Sequence, residues 1–185
     1  MSGFSNSSYA TLPFTFGLMD KPWRFVVGFK YATSSEPMGI VTQLGSGDGW
    51  GPVFVGANYA AANMNKQQTY LNGVGWPLVW SNGSVVARGF DNNVDYCIYV
   101  AFDGSQTYST GNVGGEPLAT KTSSALCNGN NLTTVLGNNR GDSLPFLGSI
   151  NLSVSYMIYD GTLLWEGELG SYEKVQKMTK EMQHG

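Results

Sequence analysis

Residue types able to do covalent or metal chemistry are scarce in this sequence, and their spacing removes most mechanisms. Histidine occurs once, as His184, beside the C-terminus where chains are least ordered. Reactions that need an imidazole base, a His-oriented nucleophile or a His-containing zinc site are therefore not expected. Cys97 and Cys127 are the only cysteines, too few and too far apart for a Cys₄ site. Cys97 falls in a strand-like segment and Cys127 in a Gly/Asn-rich one, so two free thiols are expected rather than a bridge. Glycoside hydrolysis needs only two carboxylates, and Glu36, Asp48, Glu116, Glu166 and Glu168 are available. Glu166 and Glu168 share one face at period two, which is equally the pattern of a solvated strand edge. Asp48, Asp103 and Asp160 each precede a glycine, and turn chemistry accounts for them without calcium. The glycine-rich run from Gly45 to Gly51 is followed by Pro52 and no helical pattern, so it lacks the helix N-terminus that a phosphate cradle uses. The expectation is a protein that is not an enzyme, with no catalytic residue, no cofactor and no metal.

Binding chemistry is better represented. Arg140-Gly141-Asp142, followed by Ser143, lies between Asn138-Asn139 and Leu144-Pro145 and resembles the loop tripeptide of integrin ligands, which presents one cation and one carboxylate to a receptor. It is a candidate receptor loop, although turns in this chain are built from Gly, Asn and Asp in any case. Aromatic side chains are in surplus, and their rings stack on sugars or partner side chains. Trp50, in the glycine-rich run, and Tyr70 and Tyr108, in or beside loops, are the candidate stacking residues. Trp76 and Trp80 read as core. Four Asn-x-Ser/Thr sequons begin at Asn6, Asn82, Asn131 and Asn151, as a composition this rich in Asn, Ser and Thr would produce.

These residues must be held by strands. Trp23, Phe25, Val27, Phe29 and Tyr31 alternate with Arg24, Val26, Gly28 and Lys30, which predicts a strand with one buried side. The pattern returns at Val94, Tyr96, Ile98, Val100 and Phe102, and again at Ile150, Leu152, Val154, Tyr156 and Ile158. Shorter strands are expected at 38–44, 53–55, 78–80, 84–90 and 162–165. Asn82-Gly83 and Asp160-Gly161 read as hairpin turns. Residues 112–140 are weakly apolar and read as a long loop with one short strand at 132–136. About eight strands and no helix before residue 170 predict an all-β fold, an antiparallel β-sandwich or jelly roll spanning 1–170. Residues 171–185 form the second unit, a short amphipathic helix with Tyr172, Val175, Met178 and Met182 opposite Lys174, Lys177 and Lys180.

Composition narrows the partners. Charged residues make up 12% of the chain, the net charge is −3, and there are three arginines, so direct nucleic-acid binding is not expected. No apolar run reaches the length of about eighteen residues that spans a bilayer, and the N-terminus shows no basic and apolar leader pattern.

The segments 23–31, 32–37 and 40–44 are similar to the strand and polar turn midway through jelly-roll coat proteins of small icosahedral viruses and phages, and 146–156 resembles their final shell strand. That resemblance covers about a fifth of the chain, without the basic N-terminal arm of such coats. It implies a virion structural protein, a capsid, spike or decoration subunit located in the virion. Its partners would be copies of itself, other virion proteins and a cell-surface receptor or glycan. The alternative on the same sandwich is an extracellular carbohydrate-binding module or lectin.

Overall fold

The computed structural model describes residues 1–4, 10–14, 19–34, 38–43, 53–57, 67–71, 75–78, 90–126, 134–137 and 145–167. These residues form twelve strands and no α-helix. The strands are β1 (Ala10–Thr11), β2 (Trp23–Lys30), β3 (Met38–Gln43), β4 (Val53–Ala57), β5 (Gln67–Leu71), β6 (Gly75–Leu78), β7 (Asp95–Phe102), β8 (Thr107–Asn112), β9 (Pro117–Thr122), β10 (Thr134–Leu136), β11 (Ser149–Tyr159) and β12 (Thr162–Glu166). They pair into two antiparallel six-stranded sheets, one ordered β1-β10-β3-β4-β5-β6 and the other β12-β11-β2-β7-β8-β9. The all-β sandwich expected from the sequence is the fold.

The second sheet is organised around β2 and β7, which pair without interruption from Trp23↔Phe102 to Lys30↔Asp95. Trp23, Phe25, Val27 and Phe29 project inward with Ile98, Val100 and Phe102, and meet Met38, Ile40 and Leu136 of the first sheet. Phe25 and Phe29 are 0% and 1% exposed, and burying each such ring stabilises the fold by roughly 1.5–3 kcal/mol. The core is welded by rings in contact: Phe25 stacks on Trp165 of β12, while Phe29 meets Phe90 and Phe146 edge-on at 5.2 and 5.8 Å.

The Asp160-Gly161 hairpin is present: both residues have positive φ, +48° and +75°, the pair of conformations a tight turn between β11 and β12 requires. The predicted hairpin at Asn82-Gly83, the Ser84–Phe90 strand apart from Phe90, Cys127, and the amphipathic helix at 171–185 lie outside the described residues.

Three expectations are corrected. First, residues 112–140 are not one long loop. β8 and β9 form a hairpin there, invisible to a hydrophobic pattern because β8 turns Tyr108 and a threonine, Thr110, inward, and Thr110 answers its own burial by donating to the Tyr99 carbonyl at 2.6 Å. Among the described residues β1, β5, β8 and β9 are the strands not expected, while β10 falls in the short strand expected at 132–136. Second, β2 is buried on both faces, since Val26 is 0% exposed and Gly28 is also buried. Third, β11 does not keep one phase. Its register against β2 slips between Asn151 and Tyr156, so Ile150 and Met157 both face the core while Val154, expected inward, is 40% exposed. A bulge with an odd offset moves every later side chain to the opposite face.

Candidate functional site: the outer face of the second sheet

Val26 and Tyr99 are 0% and 5% exposed, yet neither belongs to the cluster between the sheets. They pair with each other and point away from the core, along with Arg24, Gly28, Cys97 and Ala101. Register extends this face across the sheet. One row runs Glu166, Tyr156, Val26, Tyr99, Gly111, and the next runs Leu163, Ile158, Arg24, Ala101, Ser109, Thr120.

The Arg24 guanidinium carbon lies 4.1 Å from the centre of the Tyr99 ring. A cation stacked on a ring face in this way stabilises by about 0.5–2 kcal/mol, and it fixes a side chain that would otherwise sample many rotamers. Arg24 Nε is buried and has no hydrogen-bond partner, and among the described residues no carboxylate comes within salt-bridge distance of this arginine. The charge is thus held in place without being neutralised. Gly111 makes room for Tyr99, because a Cβ there would lie 3.2 Å from Cε1 of the ring and 3.1 Å from the Glu116 carbonyl oxygen.

The bulge in β11 shapes the adjoining part of the face. Where β11 swings away from β2, the buried Ser155 hydroxyl accepts the Gly28 N–H at 3.1 Å and donates to the Asn151 carbonyl at 2.7 Å, replacing ladder bonds that the bulge removes. Val154 then folds over Gly28 so closely that a Cβ on residue 28 would collide with it. Cys97, beside Gly28, is a half-buried free thiol. Burial pushes its pKa above the usual thiol value and the Arg24 charge offsets part of that rise. A thiol so shifted is protonated at neutral pH and a poor nucleophile. What the face offers is recognition chemistry: small residues at Gly28, Ala101 and Gly111, a half-buried tyrosine at Tyr156 with the Glu166 carboxylate paired beside it, hydroxyls at Ser109 and Thr120, and one oriented guanidinium.

The sequence-predicted site residues fare differently. Tyr108 is not a stacking platform. It is fully buried, stacked on Phe102 at 4.5 Å and edge-on to Trp23, with its hydroxyl donating to the Ala125 carbonyl at 2.9 Å. The inward phase of β8 decides this, since Tyr108 pairs with Phe102 on the core side. Tyr70 sits within β5, paired with Phe54, and not in a loop. Trp50 and the receptor tripeptide Arg140, Gly141 and Asp142 lie outside the described residues. Arg24, Tyr99 and Tyr156 were missed. The first two stand on the polar phase of their strands, which was legible, but their contact depends on which strands pair.

No protein-family model matches this sequence, and no curated protein matches it in sequence. Solved structures are. The CBM40 domain of the Ruminococcus gnavus IT-sialidase bound to α2,3-sialyllactose superposes with a TM-score of 0.52 at 15% identity, covering 89% of this chain and 84% of that one. The chain shares that β-sandwich fold. A second structure of the same CBM40 domain gives a TM-score of 0.51 at 15% identity, over 87% of this chain and 84% of the other. The virion-subunit expectation has no counterpart in these neighbours.

Proposed function

We propose that the protein is a carbohydrate-binding module, a β-sandwich that holds a glycan without cleaving it, and that the outer face of the second sheet is its binding surface. The observation that carries this reading is Arg24: a guanidinium held over the Tyr99 ring, without a carboxylate partner among the described residues. Planar, in-plane N–H donors of this kind recognise carboxylate or sugar oxygens, and the half-buried Tyr156 ring supplies apolar surface against which a sugar C–H face packs, while the buried Tyr99 ring serves to hold the guanidinium. The fold likeness supports the same reading, since the CBM40 domain that superposes on this chain was solved with α2,3-sialyllactose bound.

A glycan array including α2,3-sialyllactose and lactose, followed by calorimetry on the strongest ligand, tests the reading. The expected result is binding that Arg24→Gln weakens at least tenfold, the loss of one charge-assisted hydrogen bond of about 1.5–3 kcal/mol. Tyr156→Ala should weaken it as well, through lost packing. An array without signal, or an Arg24→Gln protein that is folded and binds unchanged, would refute it.

A further inference from the structure

A second recognition surface lies at one end of the sandwich, where β2 finishes and β7 and β11 begin. An open cleft of about 330 Å³ is lined there by Ser2, Lys30, Asn93, Leu147, Gly148 and Ser149, among others. That volume sits at the lower end of the ~300–1,000 Å³ of small-ligand sites. Its walls are tied by backbone bonds. Asn93 donates its N–H to the Tyr31 carbonyl at 2.8 Å and holds a positive φ of +65°. The residue before Ser2 is pinned to β11 twice, Met1 N to the Ile150 carbonyl at 2.8 Å and Ile150 N–H to the Met1 carbonyl at 2.7 Å. Gly148 packs against the Lys30 carbonyl so closely that no Cβ fits.

The lining and the ion pair beside it select a class of ligand. Lys30 Nζ, in the lining, stands 3.6 Å from Oδ2 of Asp95, which is outside the lining, with both side chains well exposed, at 45% and 73%. An anion gains little here, because the carboxylate beside the ammonium cancels its field. An apolar ligand would strand the amide and hydroxyls. A vicinal diol satisfies the pair, since its hydroxyls accept from the ammonium and donate to the carboxylate at once. Leu147, 56% exposed at the rim, offers an apolar contact for a sugar ring.

We infer that this cleft is a second carbohydrate subsite, selective for an uncharged pyranose presenting a vicinal diol, at the opposite end of β2 from Arg24. The inference deepens the carbohydrate-binding reading and uses none of Arg24, Tyr99 and Tyr156.

The test is calorimetry, with saturation-transfer NMR for weak ligands, using methyl glycosides of glucose, galactose and mannose alongside α2,3-sialyllactose. Lys30→Met and Leu147→Ser alter exposed side chains, and Asn93→Gly keeps the positive φ while removing the amide. At least one neutral glycoside should bind with a Kd on the order of 1 mM. Lys30→Met should weaken that binding about fivefold or more, as loss of a hydrogen bond does, with Leu147→Ser and Asn93→Gly acting in the same direction. If no neutral glycoside binds, or if the three cleft variants bind it like the wild type, the inference is overturned. Binding of α2,3-sialyllactose that depends on Arg24 alone would leave the carbohydrate-binding reading standing while removing the cleft. Silence toward every glycan would remove both.

Discussion

Ser155 sits where β11 leaves β2, and replacing it with alanine isolates the energetic role of the bulge. In the wild type the hydroxyl accepts the Gly28 N–H and donates to the Asn151 carbonyl, and Ser155 is 0% exposed. Ser155→Ala leaves the Gly28 N–H buried with no acceptor, because Val154 covers residue 28. An orphaned buried donor costs about 1–3 kcal/mol, while the Asn151 carbonyl, with a second lone pair, loses less. The expected destabilisation is therefore about 2 kcal/mol, or a fall in Tm of roughly 4–8 °C for a domain of this size. Urea denaturation followed by tryptophan fluorescence reads it as a lower midpoint at unchanged slope. Ser153→Ala is the internal control: that hydroxyl also reaches Asn151, donating to its Oδ1 at 2.7 Å, but in an exposed setting where water replaces it, so its effect should stay below about 0.5 kcal/mol. Equal effects of the two substitutions, or a Ser155→Ala loss below about 0.5 kcal/mol, would refute the claim that this side chain stands in for the sheet ladder.

Tyr108→Phe should cost about 1 kcal/mol by removing the bond to Ala125 while leaving glycan affinity untouched, whereas a stacking residue would show the reverse. Gly148→Ala forces a methyl group into the Lys30 carbonyl and should destabilise by about 1–3 kcal/mol in the same denaturation assay. Asp103 Oδ1 accepts the N–H groups of Ser105, Gln106 and Thr107 at 2.8, 3.0 and 3.0 Å, which holds its carboxyl below the usual range. A depressed folded pKa gives stability that is fully present above the unfolded value of about 3.9 and lost as pH falls through the folded one. Stability measured from neutral pH downward should therefore drop in that window for the wild type, and Asp103→Asn should flatten that part of the curve. Alkylation of Cys97, followed on its own peptide by mass spectrometry, should show a midpoint above that of an ordinary thiol, and Arg24→Gln should move it higher still. No movement would place Arg24 elsewhere.

Much of the architecture was legible in the chain. β2, β7 and β12 announce themselves because alternate residues are large and apolar and one face of each is buried against the other sheet, and Asp160-Gly161 announces its turn because few residues accept two positive φ values in succession. β8 and β9 were not legible, since a tyrosine, a threonine and an alanine fill their inward positions where a pattern reader looks for aliphatics. The candidate site was less legible still. Trp50, Tyr70 and Tyr108 read as aromatics in or beside loops, but a ring's exposure is set by the phase of its strand, and Tyr108 is turned inward.

Local chain chemistry thus settled what needs only neighbours along the sequence: an all-β fold, strand phase in β2 and β7, the tight turn at 160–161, and a scarcity of reactive groups. Tertiary structure decided what depends on partners distant in sequence. It flipped the phase of β11 at a bulge, set Ser155 against Gly28, laid Arg24 on Tyr99, and brought Lys30, Asn93 and Leu147 to one cleft. Period-two patterns are local properties of a strand, whereas strand pairing and register are fixed by the burial of whole faces against each other, which no single segment encodes.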